Sequence, residues 1–599
     1  MGEGTDHSHT METDPWASVT AGLLDSLGRQ LQRGSVPPSA EVIAATLTSE
    51  EGSEWDLAFP VHRFAKSFQL APAALAQRIA ADMTLPPGTG SATAVGPYVN
   101  FRADRRMLTE RTLQLVDAAK DGYGHGTSRP TRVCVEHTSA NPNGPFHIGR
   151  VRNSVIGDTL ARVLRAAGYP VTTQYYVDDI GRQAAMITWI WSRPPAEWPA
   201  EIRASLDGAD PVTEKPDHYL GRPYPAVNEY LKSHPSADAE VQELTHALET
   251  GAAPPAHRDL VRRVLDGMLD SLRALGVSFD SFAWESDLIA DGSVAAVTQR
   301  LQAASTAIRE DNGAWAIDAT GAGLPQDSTR IIVTRADGSS LYATRDVAYH
   351  LQKFARFDRL INVLGANHLL HAQVLRVLLK AIGESREPEV VLYQYITAGE
   401  GGGMSTRRGT AVHLDDLLEE AVLRARSEVT QRRTDLADAE IGAIASSIGA
   451  GAIRYHILRV AADKTVAFRW EDAISFEGRS GPFAQYSYAR ASSILRKAEA
   501  ESAAGTADPA HLALPTEWTL VRRISRFPGL VEYVARTRHV HALAGYAHTL
   551  AEEFNRFYQE VPVLKAGDER PSRLALVRAF RQTLGNCLDL LGLDRLERM

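Results

Sequence analysis

Three clusters in this 599-residue chain hold residue types whose spacing can do chemistry. The first is Ser139-Ala-Asn141-Pro-Asn143-Gly144-Pro-Phe146-His147-Ile-Gly149-Arg150. It follows a strand-like run, Arg132-Val-Cys-Val-Glu136, and opens an apolar-periodic segment that ends at Gly168. A strand, a Pro/Gly/Asn loop and a helix with His and Gly in its first turn gather free N–H groups and the positive end of a helix dipole. Such a corner seats a phosphate against bare backbone. The second cluster is Glu400-Gly-Gly-Gly403-Met404-Ser405-Thr406-Arg407-Arg408-Gly409, a glycine-rich loop with two guanidinium groups suited to phosphate oxygens. The third is Asp337-Gly-Ser-Ser-Leu-Tyr342-Ala-Thr-Arg-Asp346, whose Tyr342 and Asp346 share a face if the segment is helical. Seen alone, His147 reads as a helix-cap histidine and the second cluster as a linker. Their order along alternating strand and helix sequence is what joins them.

These clusters need elements to hold them. Thr172–Val177 follows the first helix directly and completes a βαβ unit, and further strands are expected at 330–334, 359–364 and 389–393. Alternation of this kind implies a parallel, doubly wound sheet that binds ligands at the strand carboxyl ends. The expected fold class is therefore multidomain α/β: a Rossmann-type catalytic domain, an α+β N-terminal domain and an all-α C-terminal domain. The boundaries read as a disordered tail over 1–14, the N-terminal domain over 15–125 and the sheet domain over 126–411 with a helical insertion at about 185–275. A helical region over 412–470 and a second helical domain over 471–599 complete the chain. No repeat of solenoid period is present.

Bulk properties fit a globular chain too long for one core. The two cysteines, Cys134 and Cys587, exclude a disulfide framework and a cysteine-based zinc site and fit a reducing cytoplasm. No apolar run approaches the ~20 residues of a membrane span, and the polar N-terminus lacks a signal-peptide core. Net charge is −9, and the acidity belongs to the front and middle of the chain. A near-neutral C-terminal part remains compatible with binding folded RNA by shape.

The first cluster resembles the His-x-Gly-His ATP signature of class I aminoacyl-tRNA synthetases, and the surrounding Ser-x-Asn-x-x-x-Pro-Phe-His resembles the arginyl-tRNA synthetases in particular. Arg150 stands where the second His is usual. The second cluster resembles the Lys-Met-Ser-Lys-Ser loop in its Met404-Ser405 core, with Gly403 at the leading Lys and Thr406 at the fourth position. Gly144 stands where much of the family places a compensating Lys. The resemblance implies catalytic and ATP-binding roles for His147, Gly149, Arg150, Met404, Ser405, Arg407 and Arg408. Gly365, Asn367 and His368 resemble the family's Gly-Ala-Asp-His and imply further ATP contacts. For arginine it implies Tyr342, Asp346 and Glu285 at the guanidinium, Glu136, Ser139 and Asn141 at the amino-acid head, and Gln373 beside them. Asp178 and Asp179 either line the cleft or form a turn.

The C-terminal segments Ser475–Pro482, Gln485–Arg490 and Glu553–Tyr558 resemble the helical anticodon-binding domain of the same family, with 412–470 contacting the tRNA stem. Unstacked bases would rest on Tyr486 and Tyr558, with Met599 nearby. Tyr98, Asn100 and Phe101 resemble the N-terminal domain that touches the tRNA elbow. The resemblance implies activation of L-arginine by ATP with Mg²⁺, transfer to tRNA(Arg), activation that waits for bound tRNA, no tightly bound metal, no membrane and a monomer. Two other outputs fit the altered loop: a paralogue serving an antibiotic or resistance pathway, and a catalytically silent tRNA-binding protein.

Overall fold

The computed structural model describes residues 14–48, 55–398, 413–501 and 505–599. Its strands, in chain order, are β1 (Leu57–Pro60), β2 (Thr89–Val95), β3 (Tyr98–Ala103), β4 (Val133–Glu136), β5 (Val171–Val177), β6 (Ser281–Trp284) and β7 (Ala307–Arg309). They continue with β8 (Trp315–Asp318), β9 (Arg330–Thr334), β10 (Arg359–Gly365), β11 (Glu389–Tyr393), β12 (Ile396–Ala398) and β13 (Val466–Phe468).

The central sheet runs β11-β10-β4-β5-β6, parallel throughout. Strand order reverses between β4 and β10, so the crevice for a ligand opens where those two strands end. Every residue of β4 is buried, as a strand covered on both faces must be. Helix Ile148–Ala166 returns from β4 to β5 and buries Val151, Val155, Leu160 and Leu164 under the sheet. Gly157 lets it approach closely: a Cβ there would lie 2.3 Å from the His137 side chain.

One strand assignment is corrected. Residues 330–334 do form a strand, but β9 pairs antiparallel with β8 in a separate β7-β8-β9 sheet. Its alternating exposure marks a one-sided strand rather than a doubly covered one. The fifth parallel strand is instead the four-residue β6, at the end of the helical stretch that spans Arg182–Ala274.

Ahead of the sheet, β1-β3-β2 forms an antiparallel sheet with its own core around Leu23, Phe59, Leu75 and Phe101. Behind it, helices dominate from Leu414 onward, interrupted by β13, which pairs in parallel with β12. Helix Asp438–Leu458 corrects the expectation about apolar runs, since by length and composition it is able to cross a membrane. It is a packed helix here: 67% of its most apolar window is buried, and Arg454 inside it is paired with Asp158.

Candidate active site

His147 is the N-cap of helix Ile148–Ala166, and its Nδ1 accepts the Gly149 N–H at 3.0 Å. Cap and glycine belong together, because a Cβ at Gly149 would lie 3.0 Å from that same Nδ1. Partial burial and then the Arg150 charge lower the His147 pKa, so the ring is neutral near pH 7. Arg150 also lowers the pKa of His368, after burial and His371. The first cluster and Gly365–His368 therefore face each other across the β4/β10 reversal. Asn367 is exposed and His368 half-buried at that rim.

The loop between β4 and this helix is strained. Thr138 and Ser139 have φ of 71° and 41°, a left-handed conformation that costs a non-glycine residue about 1–2 kcal/mol. Four contacts hold it. The Thr138 N–H donates to Asn153 Oδ1 at 2.7 Å, and Asn153 Nδ2 donates to the Val363 carbonyl of β10 at 2.8 Å. The Tyr176 N–H donates to Ser139 Oγ at 3.0 Å, and Tyr175 donates its hydroxyl to the Ala140 carbonyl at 2.6 Å.

The residues expected at the amino-acid head converge beside this loop. Glu136 Oε2 accepts from Lys353 Nζ at 2.6 Å, while its Oε1 lies 3.4 Å from Ser139 Oγ. Asn141 Nδ2 donates to Asp178 Oδ2 at 3.0 Å and Gln183 Oε1 at 2.9 Å. Asp178 and Asp179 divide the two readings between them. Asp179 is fully buried and holds the Ser286 N–H at 2.9 Å and its hydroxyl at 2.6 Å, fixing the turn that presents Glu285. Asp178 stays half-buried and faces Glu285.

Glu285 is fully buried; its Oε1 pairs with Arg345 Nε, and its Oε2 has no hydrogen-bond partner. Burial and then the neighbouring Asp178 charge push its pKa well up, and burial raises Asp178 too, so two carboxyls crowd one buried space that, among the described residues, lacks a second cation. Helix Tyr342–Arg356 supplies the opposite wall. Tyr342 is exposed at its start, and Asp346 one turn on accepts from His371 Nε2 at 2.8 Å and lies 3.1 Å from His350 Nδ1. Burial alone would raise the Asp346 pKa, but the two imidazoles hold it far below the carboxylate range. His371 moves the other way: burial lowers it, and Asp346 more than restores it above its ordinary value. Gln373 is half-buried two residues beyond His371.

Sequence reasoning missed Tyr176, His350, Lys353 and His371 in this wall. Tyr342, Asp346, Tyr349 and Lys353 follow a four-three-four spacing on one helix face, a visible signal. Tyr176 and His371 join only through the tertiary fold.

Met404, Ser405, Arg407 and Arg408 lie outside the described residues, and the flanks of that segment are tied to the first cluster. On one side, the fully buried Arg152 donates from Nη1 to the carbonyls of Gln394 at 2.6 Å and Lys464 at 2.5 Å. Its Nη2 donates to the Ala461 carbonyl at 2.8 Å. These contacts fix the turn before β12 against the turn before β13. On the other side, His413 bridges His147, and the Leu414 N–H donates to the Phe146 carbonyl at 2.8 Å. Nearby, Asp217, His218 and Asp415 cluster with Lys215 Nζ as a resident cation, 2.8 Å from Asp415 and 3.7 Å from Asp217.

Far from this cleft, Tyr486 and Tyr558 flank the Arg490 guanidinium, with ring centroids 4.8 and 5.2 Å away. Arg490 also bonds Asn555, giving a stacking platform with a cation at its centre. Met599 is buried in a small cluster against which Tyr486 packs. Tyr98 is exposed on β3, but Asn100 is 6% and Phe101 1% exposed. Phe101 is a core residue of the N-terminal sheet; alternation and its β1 neighbours turn its ring inward, so it presents no surface to a partner.

Three known domain families match this sequence. Residues 112–470 match the class I tRNA synthetase (R) catalytic domain, 484–599 the DALR anticodon-binding domain, and 23–103 the arginyl-tRNA synthetase N-terminal domain. The arginine–tRNA ligase of Methanocella arvoryzae is 38% identical over 580 residues, covering 96% of this chain and 99% of its own. That of Methanothermobacter thermautotrophicus is 43% identical over 506 residues, covering 84% and 86%. The solved arginyl-tRNA synthetase of Thermus thermophilus superposes with a TM-score of 0.81 at 28% identity, covering 97% of this chain and all of that one. The Plasmodium falciparum arginyl-tRNA synthetase shares the fold, with a TM-score of 0.76 at 17% identity.

Proposed function

This chain belongs to the class I arginyl-tRNA synthetases, and we propose from that membership how its own residues carry the reaction. It activates L-arginine with ATP and charges tRNA with the product. In the first step the arginine carboxylate attacks the α-phosphorus of ATP in line, and pyrophosphate leaves. In the second, a ribose hydroxyl at the tRNA 3′ end attacks the adenylate carbonyl and AMP leaves. Neither step needs a protein nucleophile. Positioning and charge supply the rate.

His147 and Gly149 seat the phosphates at the helix N-terminus, where free N–H groups and the dipole favour an anion. Arg150, Arg407 and Arg408 carry the positive charge that departing pyrophosphate needs, in place of Lys and a second His. An Arg fork pairs with phosphate oxygens at least as well as a point charge. The family resemblance gives Met404 and Ser405 a part in binding ATP, and Gly365, Asn367 and His368 supply further contacts to it. ATP enters as its Mg²⁺ complex, a co-substrate rather than a resident metal. Asp346 and Glu285 take the guanidinium, with Tyr342 and Gln373 beside them. Glu136, Ser139 and Asn141 hold the ammonium and carboxylate.

The observation that carries this reading is the buried Glu285 Oε2 left without a partner opposite an ionised Asp346, an arrangement that asks for a cation with paired N–H groups. A catalytically silent tRNA binder has no use for it. The tRNA would lie across Tyr98 and the Tyr486–Arg490–Tyr558 platform, with Met599 supporting it from below, while the buried Asn100, like Phe101, offers it no surface. We further propose a cytoplasmic monomer with domain boundaries at 126, 412 and 471. The test is Asp346→Asn. The arginine KM in aminoacylation should rise at least ten-fold while the ATP KM holds; an unchanged arginine KM removes Asp346 from the pocket.

A further inference from the structure

Tyr176 is the penultimate residue of β5, at the carboxyl end of the sheet beside the strained 138–139 loop. Its N–H holds Ser139, and its ring packs on Tyr349 with centroids 4.5 Å apart. The residue is 7% exposed, yet among the described residues its phenol oxygen has no hydrogen-bond partner. Buried polar groups are nearly always paired, so an orphan in a cleft marks where a ligand atom belongs. The groups whose charge this phenol feels most are Glu285, Tyr342, Asp346 and Asp178, which are the pocket residues themselves. Two orphan oxygens, Tyr176 Oη and Glu285 Oε2, thus belong to one space.

We propose that Tyr176 is a specificity-determining residue for the amino-acid substrate, its phenol oxygen accepting a hydrogen bond from the guanidinium held between Glu285 and Asp346. This rests on the arginine-pocket reading above. A guanidinium carries five N–H donors in a rigid fork. Paired bonds to two carboxylates use four of them, and the fifth needs an acceptor that adds no third negative charge. A neutral phenol meets that need. Burial and the surrounding carboxylates push its pKa well above the ordinary value, so it stays neutral. Lysine, a point charge with three donors, leaves at least one of these acceptors empty, and an empty buried acceptor is what a site rejects most strongly.

The test is Tyr176→Phe, which removes one oxygen and keeps the ring on Tyr349. Aminoacylation by the full-length enzyme with saturating tRNA is measured as a function of arginine and, separately, of ATP. The expected result is an arginine KM raised roughly ten- to a hundred-fold, with the loss absent from the ATP KM. Discrimination between arginine and lysine should narrow in the same variant. An arginine KM within two-fold of the parent overturns the inference. So does a parallel rise in both KM values, which would mean a distorted 138–139 loop. Asp346→Asn, run alongside, separates the two levels. If it loses arginine while Tyr176→Phe does not, this inference alone falls. If neither variant moves the arginine KM, the pocket reading falls with it.

Discussion

Replacing Arg152 by Met should loosen the frame that ties the turns before β12 and β13 to the helix capped by His147. Arg152 lies one turn into the helix that His147 caps, fully buried, and among the described residues it makes no salt bridge within 4.0 Å. Carbonyl dipoles supply its hydrogen bonds, and burial, only partly offset by Tyr393 and Asp463, lowers its pKa to about 10, still charged at neutral pH. The carbonyls of Gln394, Lys464 and Ala461 each accept within 2.8 Å, from segments about 240 to 310 positions away. Met fills similar space and leaves the Gln394 and Lys464 carbonyls without their guanidinium donor, while the Ala461 carbonyl keeps the Lys464 N–H at 3.0 Å. At about 1–2 kcal/mol for each of those two the gross loss is about 2–4 kcal/mol, and relieving the buried charge returns part of it, leaving about 1–3 kcal/mol. Lys keeps the charge but concentrates its donors at one point, so it should recover only part of the loss. The assay is urea unfolding of the sheet domain followed by tryptophan fluorescence, with the ATP KM measured beside it. The midpoint should fall in the order Arg, Lys, Met, and the ATP KM should rise in the same order, because β12 leads directly toward Met404. An Arg152→Met protein with an unchanged midpoint and ATP KM would show that the carbonyls find water and that Arg152 staples nothing.

Two further outcomes follow from the charge arrangement. His371 is held above its ordinary pKa by Asp346, and bound arginine competes with that proton for the same carboxylate. Arginine binding should therefore release a proton, and the arginine KM should fall as pH rises through the raised His371 value. His371→Asn should flatten that profile; a profile of unchanged slope contradicts the competition. Stability runs the opposite way: the His371–Asp346 pair stabilises the fold fully below the unfolded histidine pKa, and that contribution is lost as pH rises through the folded one. At the other end of the molecule, Arg490→Ala should raise the tRNA KM several-fold and leave the arginine KM alone, since it removes the cation between Tyr486 and Tyr558. An unchanged tRNA KM would make that platform a packing feature.

What the sequence makes legible follows from how local the physics is. The strand, loop and capped helix around His147 are readable because cap, glycine and dipole act within a dozen residues. Tyr342 and Asp346 are readable from helical spacing, and the same stripe extends to Tyr349 and Lys353. Arg152 and Arg454 are not readable. Both are fully buried arginines whose partners include backbone carbonyls brought together by the tertiary fold, and a carbonyl carries no residue identity. β9 looks like a member of the parallel sheet because five apolar-leaning residues do not disclose pairing direction. β6 escapes notice because four residues at a sheet edge give little pattern. Phe101 shows the limit of matching by letter alone: strand alternation and packing turned it inward.

The proposed pocket between Glu285 and Asp346 should select arginine for transfer to tRNA. The most direct measurement is charging of total tRNA by the purified enzyme with ATP and, in separate reactions, radiolabelled arginine, lysine and citrulline. Acid-precipitable label is expected with arginine alone. Charging with lysine or citrulline at a comparable rate, or none with arginine, would contradict it.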